Sequence, residues 1–154
     1  PDDPIHPLSV AVERVRAAAE AARSLAFPFL LTARAENYLW GRPDLDDTLR
    51  RLRAFQEAGA DVLYAPGLKS REEIAIVVRS LDQPVNVVMG LRGVQLSLAE
   101  LSALGVRRVS VGSALCRAAL GAFLRAAREM QERGSFTFAD EAVGSRDLAA
   151  LFDA

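Results

Sequence analysis

The sequence predicts an α/β protein with a parallel β-sheet, and three observations lead to this prediction. Short apolar segments begin near residues 28, 61, 84 and 107, and segments with a helical spacing of apolar residues lie between them. Helix start and stop signals recur in these intervening segments. The 154 residues are 51% hydrophobic and 25% charged, which is typical of a packed domain. Helices that alternate with short strands in this way predict parallel strands joined by helical crossovers.

Local signals predict the first helix, the first strand and the second helix. Residues 10–25 carry apolar side chains at a helical spacing, and Ser9 precedes them as the predicted N-cap. Residues 27–33 form a continuous apolar run that stops at charged residues, which is expected of a strand buried on both faces. Asp44 opens the next helical pattern, and Gly59 is placed to end it in the left-handed conformation.

The middle of the chain repeats this unit. Residues 60–65 are predicted to form the second strand, and residues 84–89 the third. Between these strands, Ser70 and Glu73 have the spacing of a capping box in front of a helix. The same spacing therefore predicts where this third helix begins.

The last unit contains the same signals. Ser97 and Glu100 again have capping-box spacing, and Gly105 is placed to end the helix that follows them. Residues 107–111 are predicted to form the fourth strand, and residues 113–133 the longest helix. The chain therefore contains four strands, each preceded and followed by a helix.

Two architectures can contain four such units: a small open sheet of the flavodoxin type, or half of an eight-stranded barrel of about 250 residues. A helix precedes the first strand, and the chain begins at Pro1 and not at methionine. Both features favour a half-barrel from a longer protein, although the length also suits an open sheet. We predict a parallel (β/α)8 barrel of which residues 1–134 supply the C-terminal half and residues 135–154 a helical tail.

The composition narrows the function classes. With 19 basic and 20 acidic side chains, the net charge of -1 disfavours a nucleic-acid or membrane-surface partner. No apolar run approaches the ~20 residues that span a bilayer. The single cysteine, Cys116, excludes an internal disulfide and is expected to be a small packed residue. A cytoplasmic location is predicted.

Ligands of either fold bind beyond the carboxyl ends of the strands. The residues at these positions are Thr32, Arg34, Glu36, Asn37, Tyr64, Pro66, Asn86, Ser110, Gly112 and Ser113. The planar guanidinium of Arg34 suits a carboxylate or phosphonate, unless Arg34 and Glu36 only satisfy each other. Asn86 interrupts an apolar strand, and its amide needs partners from a ligand or from neighbouring backbone.

Other polar residues favour structural interpretations. Asp46 and Asp47 lie in the first turn of a predicted helix, where they favour the helix dipole more readily than a metal ion. His6 is the single histidine and has no partner that the sequence identifies, so no hydrolase triad is predicted.

One long stretch, FPFLLTARAENYLWGRPDLDDTLRRLRAFQEAGADVLYAPGL, resembles the isocitrate lyase/phosphoenolpyruvate mutase superfamily. The resemblance continues through PVNVVMG and GVRRVSVGSALCRAALGAFLRAARE, and its most specific element is the ARAE strand end. It implies an Mg²⁺-dependent barrel that breaks or rearranges a C–C or P–C bond beside a 2-oxo acid through an enolate. It also implies a homo-oligomer, a dimer or tetramer whose paired subunits exchange their last helices.

The resemblance assigns roles to individual residues. Arg34 matches the arginine that grips the substrate's acid group, Asn86 matches a substrate-contacting asparagine, and Glu36 is the acid that orients Arg34. Pro66 stands where the lyases carry a glutamate, which argues against isocitrate-type cleavage. We expect the Mg²⁺ ligands in the missing N-terminal half, so residues 1–154 alone should be inactive. The alternative is a non-catalytic half-barrel that binds dicarboxylates.

Overall fold

The computed structural model describes residues 4–90 and 93–152, and it confirms the predicted α/β class and element order. The α-helices and strands are α1 (Leu8–Arg23), β1 (Thr32–Arg34), α2 (Leu45–Glu57), β2 (Val62–Tyr64), α3 (Arg71–Arg79), β3 (Val85–Val88), α4 (Leu98–Ala103), β4 (Arg108–Ser110), α5 (Ala114–Arg133) and α6 (Ser145–Ala150). Short 3₁₀ turns occupy Asn37–Trp40 and Thr137–Glu141. The chain divides into two compact units, Pro1–Gly112 and Ser113–Ala154.

The four described strands form one parallel sheet in the order β1-β2-β3-β4. Each crossover moves one strand in the same direction, and right-handed crossovers of this kind place their helices on one face of the sheet. A doubly wound sheet instead reverses direction at a switch point. The order of these strands therefore excludes the flavodoxin-type alternative and matches consecutive strands of a barrel.

A hydrogen bond across the open face shows that the sheet is curled. The Nη1 of Arg108 on β4 donates to Oγ1 of Thr32 on β1 over 2.8 Å. Three strand spacings in a flat sheet would separate these strands by about 14 Å. The direct contact between their side chains therefore requires the curvature of a barrel wall.

The hydrophobic core lies between the helices and the convex face of this sheet. Alternate strand residues such as Ala33, Leu63 and Val85 pack there against Leu52 of α2 and Val77 of α3. Leu52, Leu63 and Val77 are completely buried. The helices thus cover one face of the sheet. The strand residues that alternate with these core residues lie on the opposite face.

The capping signals predicted most helix starts correctly. The carboxylate of Asp44 accepts from the backbone N–H of Asp47 over 2.9 Å, and Ser70 caps α3 through Glu73. Ser97 and Glu100 form both bonds of a capping box. The prediction of Ser9 as the first N-cap is wrong, because the carbonyl of the preceding Pro7 already accepts a helical bond.

The predicted first strand, residues 27–33, is wrong in extent and burial. The observed β1 is limited to Thr32–Arg34, and Phe27, Phe29 and Leu30 are 60%, 54% and 70% exposed. Pairing with β2 begins only at Leu31, whose carbonyl accepts from the backbone N–H of Val62 over 3.1 Å. Among the described strands, only β2 lies beside β1, and no described strand covers the residues that precede Thr32.

The second unit is built on α5. This helix ends at Gly134, which has a left-handed φ of 65°. The carboxylate of Glu129 accepts from the Oγ of Ser135 and from both the backbone N–H and the hydroxyl of Thr137, which holds the tail against the helix. None of the described residues of α5 is buried, and Cys116 is exposed. The expectation that Cys116 is a packed residue is therefore wrong.

No helix in residues 4–90 and 93–152 is long and apolar enough to cross a bilayer.

Candidate active site

One row of side chains crosses the open face of the sheet. Arg34, Tyr64, Asn86 and Arg108 are consecutive partners in the strand register, and Ser110 lies two residues beyond Arg108. Register partners in a pleated sheet point to the same side. Because the core residues Ala33, Leu63 and Val87 alternate with them, these polar residues lie on the face opposite the helices, which we call the inner face.

Arg34 and Glu36 form an ion pair at the end of β1. The Nη2 of Arg34 lies 2.6 Å from Oε1 of Glu36, and the Arg34 side chain is 52% exposed. Glu36 holds the guanidinium at the carboxyl edge of the sheet, and about half of the Arg34 side chain stays exposed. The structure therefore joins the two predicted residues and keeps a guanidinium available for a carboxylate or phosphonate.

Asn86 is buried on the inner face, with only 4% of its surface exposed. Its Nδ2 donates to Oγ of Ser110 over 3.0 Å. Its Oδ1 accepts no hydrogen bond from the described residues. A buried acceptor without a partner is costly, and such groups are frequent where a ligand binds.

Tyr64 lies between Arg34 and Asn86 in the register. Burial raises the pKa of the Tyr64 phenol, Arg34 and Ser110 act to lower it and Glu36 to raise it, and the net shift is upward. The phenol therefore stays protonated at neutral pH and can donate a hydrogen bond.

The sequence analysis placed Tyr64 and Ser110 at strand ends without giving either a role. A hydroxyl side chain within each of these two short strands is the signal that could have identified them. Arg108 was missed as well, although a charged residue in the RRVSV strand is unusual.

A second polar cluster lies beside the site, at the start of α2. Asp47 accepts from Nδ2 of Asn37 and from Nε of Arg51, each over 2.7 Å, and also pairs with Arg50. Burial acts to raise the pKa of Asp47, but these donors outweigh it and hold that pKa at about 2. Every strong interaction of the carboxylate is thus with protein, which supports a structural role.

His6 lies closer to the predicted site than the sequence indicated. It lines a cavity of about 90 Å³ with Arg34 and Glu36, and its carbonyl accepts from Nη1 of Arg51 over 2.9 Å. The segment before α1 is therefore held at the carboxyl end of β1 by a contact that sequence spacing does not reveal.

The residues that the structure describes contain no group of three or more His, Cys, Asp or Glu side chains that could hold a metal ion. On the inner face, Glu36 is engaged by Arg34. These residues therefore fit the binding of an anion and do not form an Mg²⁺ site.

Comparison with known proteins agrees with this geometry. The family model described as phosphoenolpyruvate phosphomutase matches residues 1–131. The crystal structure of a Burkholderia cenocepacia J2315 protein, provisionally assigned as a lyase/mutase, is 63% identical with a TM-score of 0.95. It is matched over 99% of this chain and 55% of its own.

Two enzyme structures are more distant. A 2,3-dimethylmalate lyase, a member of the PEP mutase/isocitrate lyase superfamily, is 25% identical with a TM-score of 0.79, over 96% of this chain and 51% of its own. An oxaloacetate acetylhydrolase with its product oxalate is 25% identical with a TM-score of 0.80, over 94% of this chain and 50% of its own.

The chain spans about half the length of the solved structures that it matches. Its four strands correspond to half of their barrels. The family match, the parallel curled sheet and the Arg34–Glu36 strand end agree with one another. We conclude that the chain belongs to the phosphoenolpyruvate phosphomutase family, within the PEP mutase/isocitrate lyase superfamily.

Proposed function

We propose that this chain is the C-terminal half of the barrel of an enzyme acting on a small 2-oxo acid or a related carboxylate or phosphonate. The reaction cleaves or rearranges a C–C or P–C bond beside the oxo group and passes through an enolate. The observation that carries this proposal is the convergence of Arg34, Tyr64, Asn86 and Ser110, one residue from each strand, on the inner face. Related enzymes that act on dimethylmalate and oxaloacetate support the substrate class.

Arg34 binds the acid group of the substrate. A guanidinium forms two parallel hydrogen bonds with a carboxylate or phosphonate, which fixes the orientation of the substrate as well as its charge. The ion pair with Glu36, at 2.6 Å, limits the conformations of Arg34 before the substrate arrives. The substrate then binds to a side chain that is already positioned.

Tyr64 and Asn86 complete the substrate contacts. The protonated phenol of Tyr64 donates toward negative charge that develops on the oxo oxygen, which lowers the barrier to enolate formation. The free Oδ1 of Asn86 accepts from a donor on the substrate or on its hydration shell. Both groups are fixed on strands and need little reorganisation during the reaction.

Mg²⁺ dependence is the finer part of the proposal. Because the described residues do not form a cation site, its ligands would belong to the remaining strands of the barrel. The residues of this chain bind and orient the substrate, and no step of the reaction is assigned here to the metal.

The proposal extends to assembly and location. The second unit exposes large apolar side chains, including Leu115 at 73%, Phe123 at 67% and Leu151 at 72%. Exposed apolar surface of this kind is typical of an interface, and it supports a homo-oligomer in which these helices are exchanged. Sedimentation of the full-length protein tests this assembly. A cytoplasmic location is part of the same proposal.

Calorimetry on the full-length protein tests the function. Oxaloacetate, 2-oxoglutarate and phosphonopyruvate would each be titrated with and without Mg²⁺, and product formation would be measured in the same samples. We expect at least one of them to bind and to be converted only when Mg²⁺ is present. Binding without conversion would support a dicarboxylate-binding half-barrel instead, and absence of binding by all three would contradict the proposed substrate class.

A further inference from the structure

The inner face carries a second arginine that the proposed chemistry does not use. Arg108 is the register partner of Asn86, and its guanidinium donates to Thr32 across the sheet. Among the described residues Arg108 forms no ion pair, and the carboxylate of Glu36 pairs with Arg34. The remaining titratable group in this row is Tyr64 on β2, and β3 contributes only the neutral Asn86.

The direction of the Arg108 side chain separates it from the substrate site. Its partner Thr32 is the first residue of β1, whereas Arg34 is the last. The guanidinium therefore lies toward the amino ends of the strands. Ligands of parallel barrels bind at the opposite, carboxyl ends.

Closing the barrel would remove this charge from water. A barrel interior is filled with packed side chains, and an ionised group enclosed there is strongly destabilising unless it is paired. A single neutral hydroxyl, that of Thr32, does not neutralise a guanidinium. The remaining half of the barrel must then supply the opposite charge.

We propose that Arg108 forms a buried ion pair with a carboxylate, Asp or Glu, on the inner face of a strand from the N-terminal half of the barrel. This pair fixes the position of the two halves relative to each other. The partner is expected to be a carboxylate because its charge is opposite to that of Arg108. This chain covers 55% of one solved relative and 51% of another, so those relatives contain a further half in which such a carboxylate can lie. The proposal concerns assembly of the barrel and does not depend on the substrate.

The test is thermal unfolding of the full-length protein with Arg108→Met, which keeps the side-chain length and removes the charge. Arg107→Met is the matched control, since Arg107 is exposed and precedes the first residue of β4. We expect Tm to fall by on the order of 10 °C at pH 7 for Arg108→Met, because an unpaired carboxylate remains buried. The control should change Tm by no more than about 2 °C.

The pH dependence identifies the partner. Burial without Arg108 raises the pKa of the partner carboxylate, so lowering the pH neutralises it and the Tm difference from wild type should shrink between pH 7 and pH 5. A difference independent of pH, or no larger than that of the control, would overturn the proposal. A third result would also overturn the proposal: Arg108→Met leaves Tm unchanged but abolishes the increase in Tm that substrate causes in wild type. Arg108 would then bind the ligand.

Arg108→Lys keeps the test decisive if Arg108→Met does not fold. Lysine retains the positive charge, so we expect it to restore at least half of the lost Tm or to restore folding. A lysine variant as defective as the methionine variant would contradict an ion pair.

Discussion

Two polar clusters lie at the carboxyl end of β1 and differ in how fully protein partners engage their charged groups. Each contains an arginine–carboxylate pair, a buried asparagine and a nearby tyrosine. Around Asp47, the carboxylate accepts from Asn37, Arg50 and Arg51, and Tyr38 donates to Oε1 of Glu73 over 3.1 Å. The inner-face cluster is less complete, since Arg34 is half-exposed with a single carboxylate partner.

The difference indicates which cluster stabilises the fold and which binds a ligand. Polar groups saturated by protein partners have little capacity left for another molecule. Half of the Arg34 side chain is exposed and keeps that capacity, whereas three side chains engage the Asp47 carboxylate. An unpaired Oδ1 does not separate the two clusters, because Asn37 and Asn86 each have one. Matched substitutions in the two clusters therefore test the assignment, with effects on activity in one and on stability in the other.

The largest expected effect is on catalysis. Arg34→Ala in the full-length protein should lower kcat/KM at least about a hundredfold, because a charge-assisted bidentate interaction worth about 3 kcal/mol is lost. Its stability should change little, since an exposed ion pair contributes at most about 1 kcal/mol. Steady-state kinetics and urea unfolding measure the two effects.

The matched control is Arg50→Ala, because Arg50 is also exposed and also pairs with a carboxylate. Its kcat/KM should stay within about twofold of wild type, as expected of a surface position. Equal losses of kcat/KM in the two variants would contradict a substrate-binding role for Arg34.

The next effect is on stability. Asp47→Ala should lower the free energy of unfolding by about 2 kcal/mol, because it leaves Asn37 and Arg51 without their acceptor. Asp46→Ala, one residue earlier in the same helix, removes only an exposed charge and should cost about 0.5 kcal/mol. Urea unfolding that found equal losses would show that the cluster has no special structural role.

Acid titration sharpens this result. Since the pKa of Asp47 is lowered from 3.8 to about 2 on folding, its stabilisation is fully present above pH 3.8 and is lost as the pH falls toward 2. Wild type and Asp47→Ala should therefore converge in stability across that range.

The two asparagines give a smaller contrast. Asn37→Ala removes a hydrogen bond to a charged carboxylate and should cost about 1.5 kcal/mol of stability with normal ligand binding. Each substitution also removes a buried Oδ1 that has no partner among the described residues. Asn86→Ala loses only a hydrogen bond to the neutral hydroxyl of Ser110, so it should cost less than about 1 kcal/mol while it weakens ligand binding about tenfold. Calorimetry and urea unfolding on both variants would reveal a reversed pattern.

The sequence predicted the helices better than the strands for a physical reason. Caps such as Ser97 with Glu100 are local, so the residues that form them stand beside each other in the chain. A strand extends only where a neighbour pairs with it, which is why β1 begins at Thr32 although the apolar run begins at Phe27. The location of strand ends therefore depends on residues far away in sequence.

The same distinction applies to the site. Arg34 and Asn86 are conspicuous because each is polar within an apolar strand, and the sequence analysis identified both. The contacts that join the strands were not predictable, since the Arg108–Thr32 hydrogen bond connects residues 76 positions apart through the curl of the sheet. Both the strand register and the curvature of the sheet are needed to identify these contacts.

The smallest expected effect separates the two tyrosines. Tyr38→Phe removes the hydrogen bond to Glu73 and should lower stability by about 1 kcal/mol without changing kcat. Tyr64→Phe keeps the ring and its packing but removes the donor on the inner face, so kcat should fall about tenfold with nearly unchanged stability. KM should change less than kcat in Tyr64→Phe, because the phenol interacts with charge that develops during the reaction. A loss confined to KM would instead place the phenol in ground-state binding, and a loss of activity in Tyr38→Phe would remove the distinction between the two clusters.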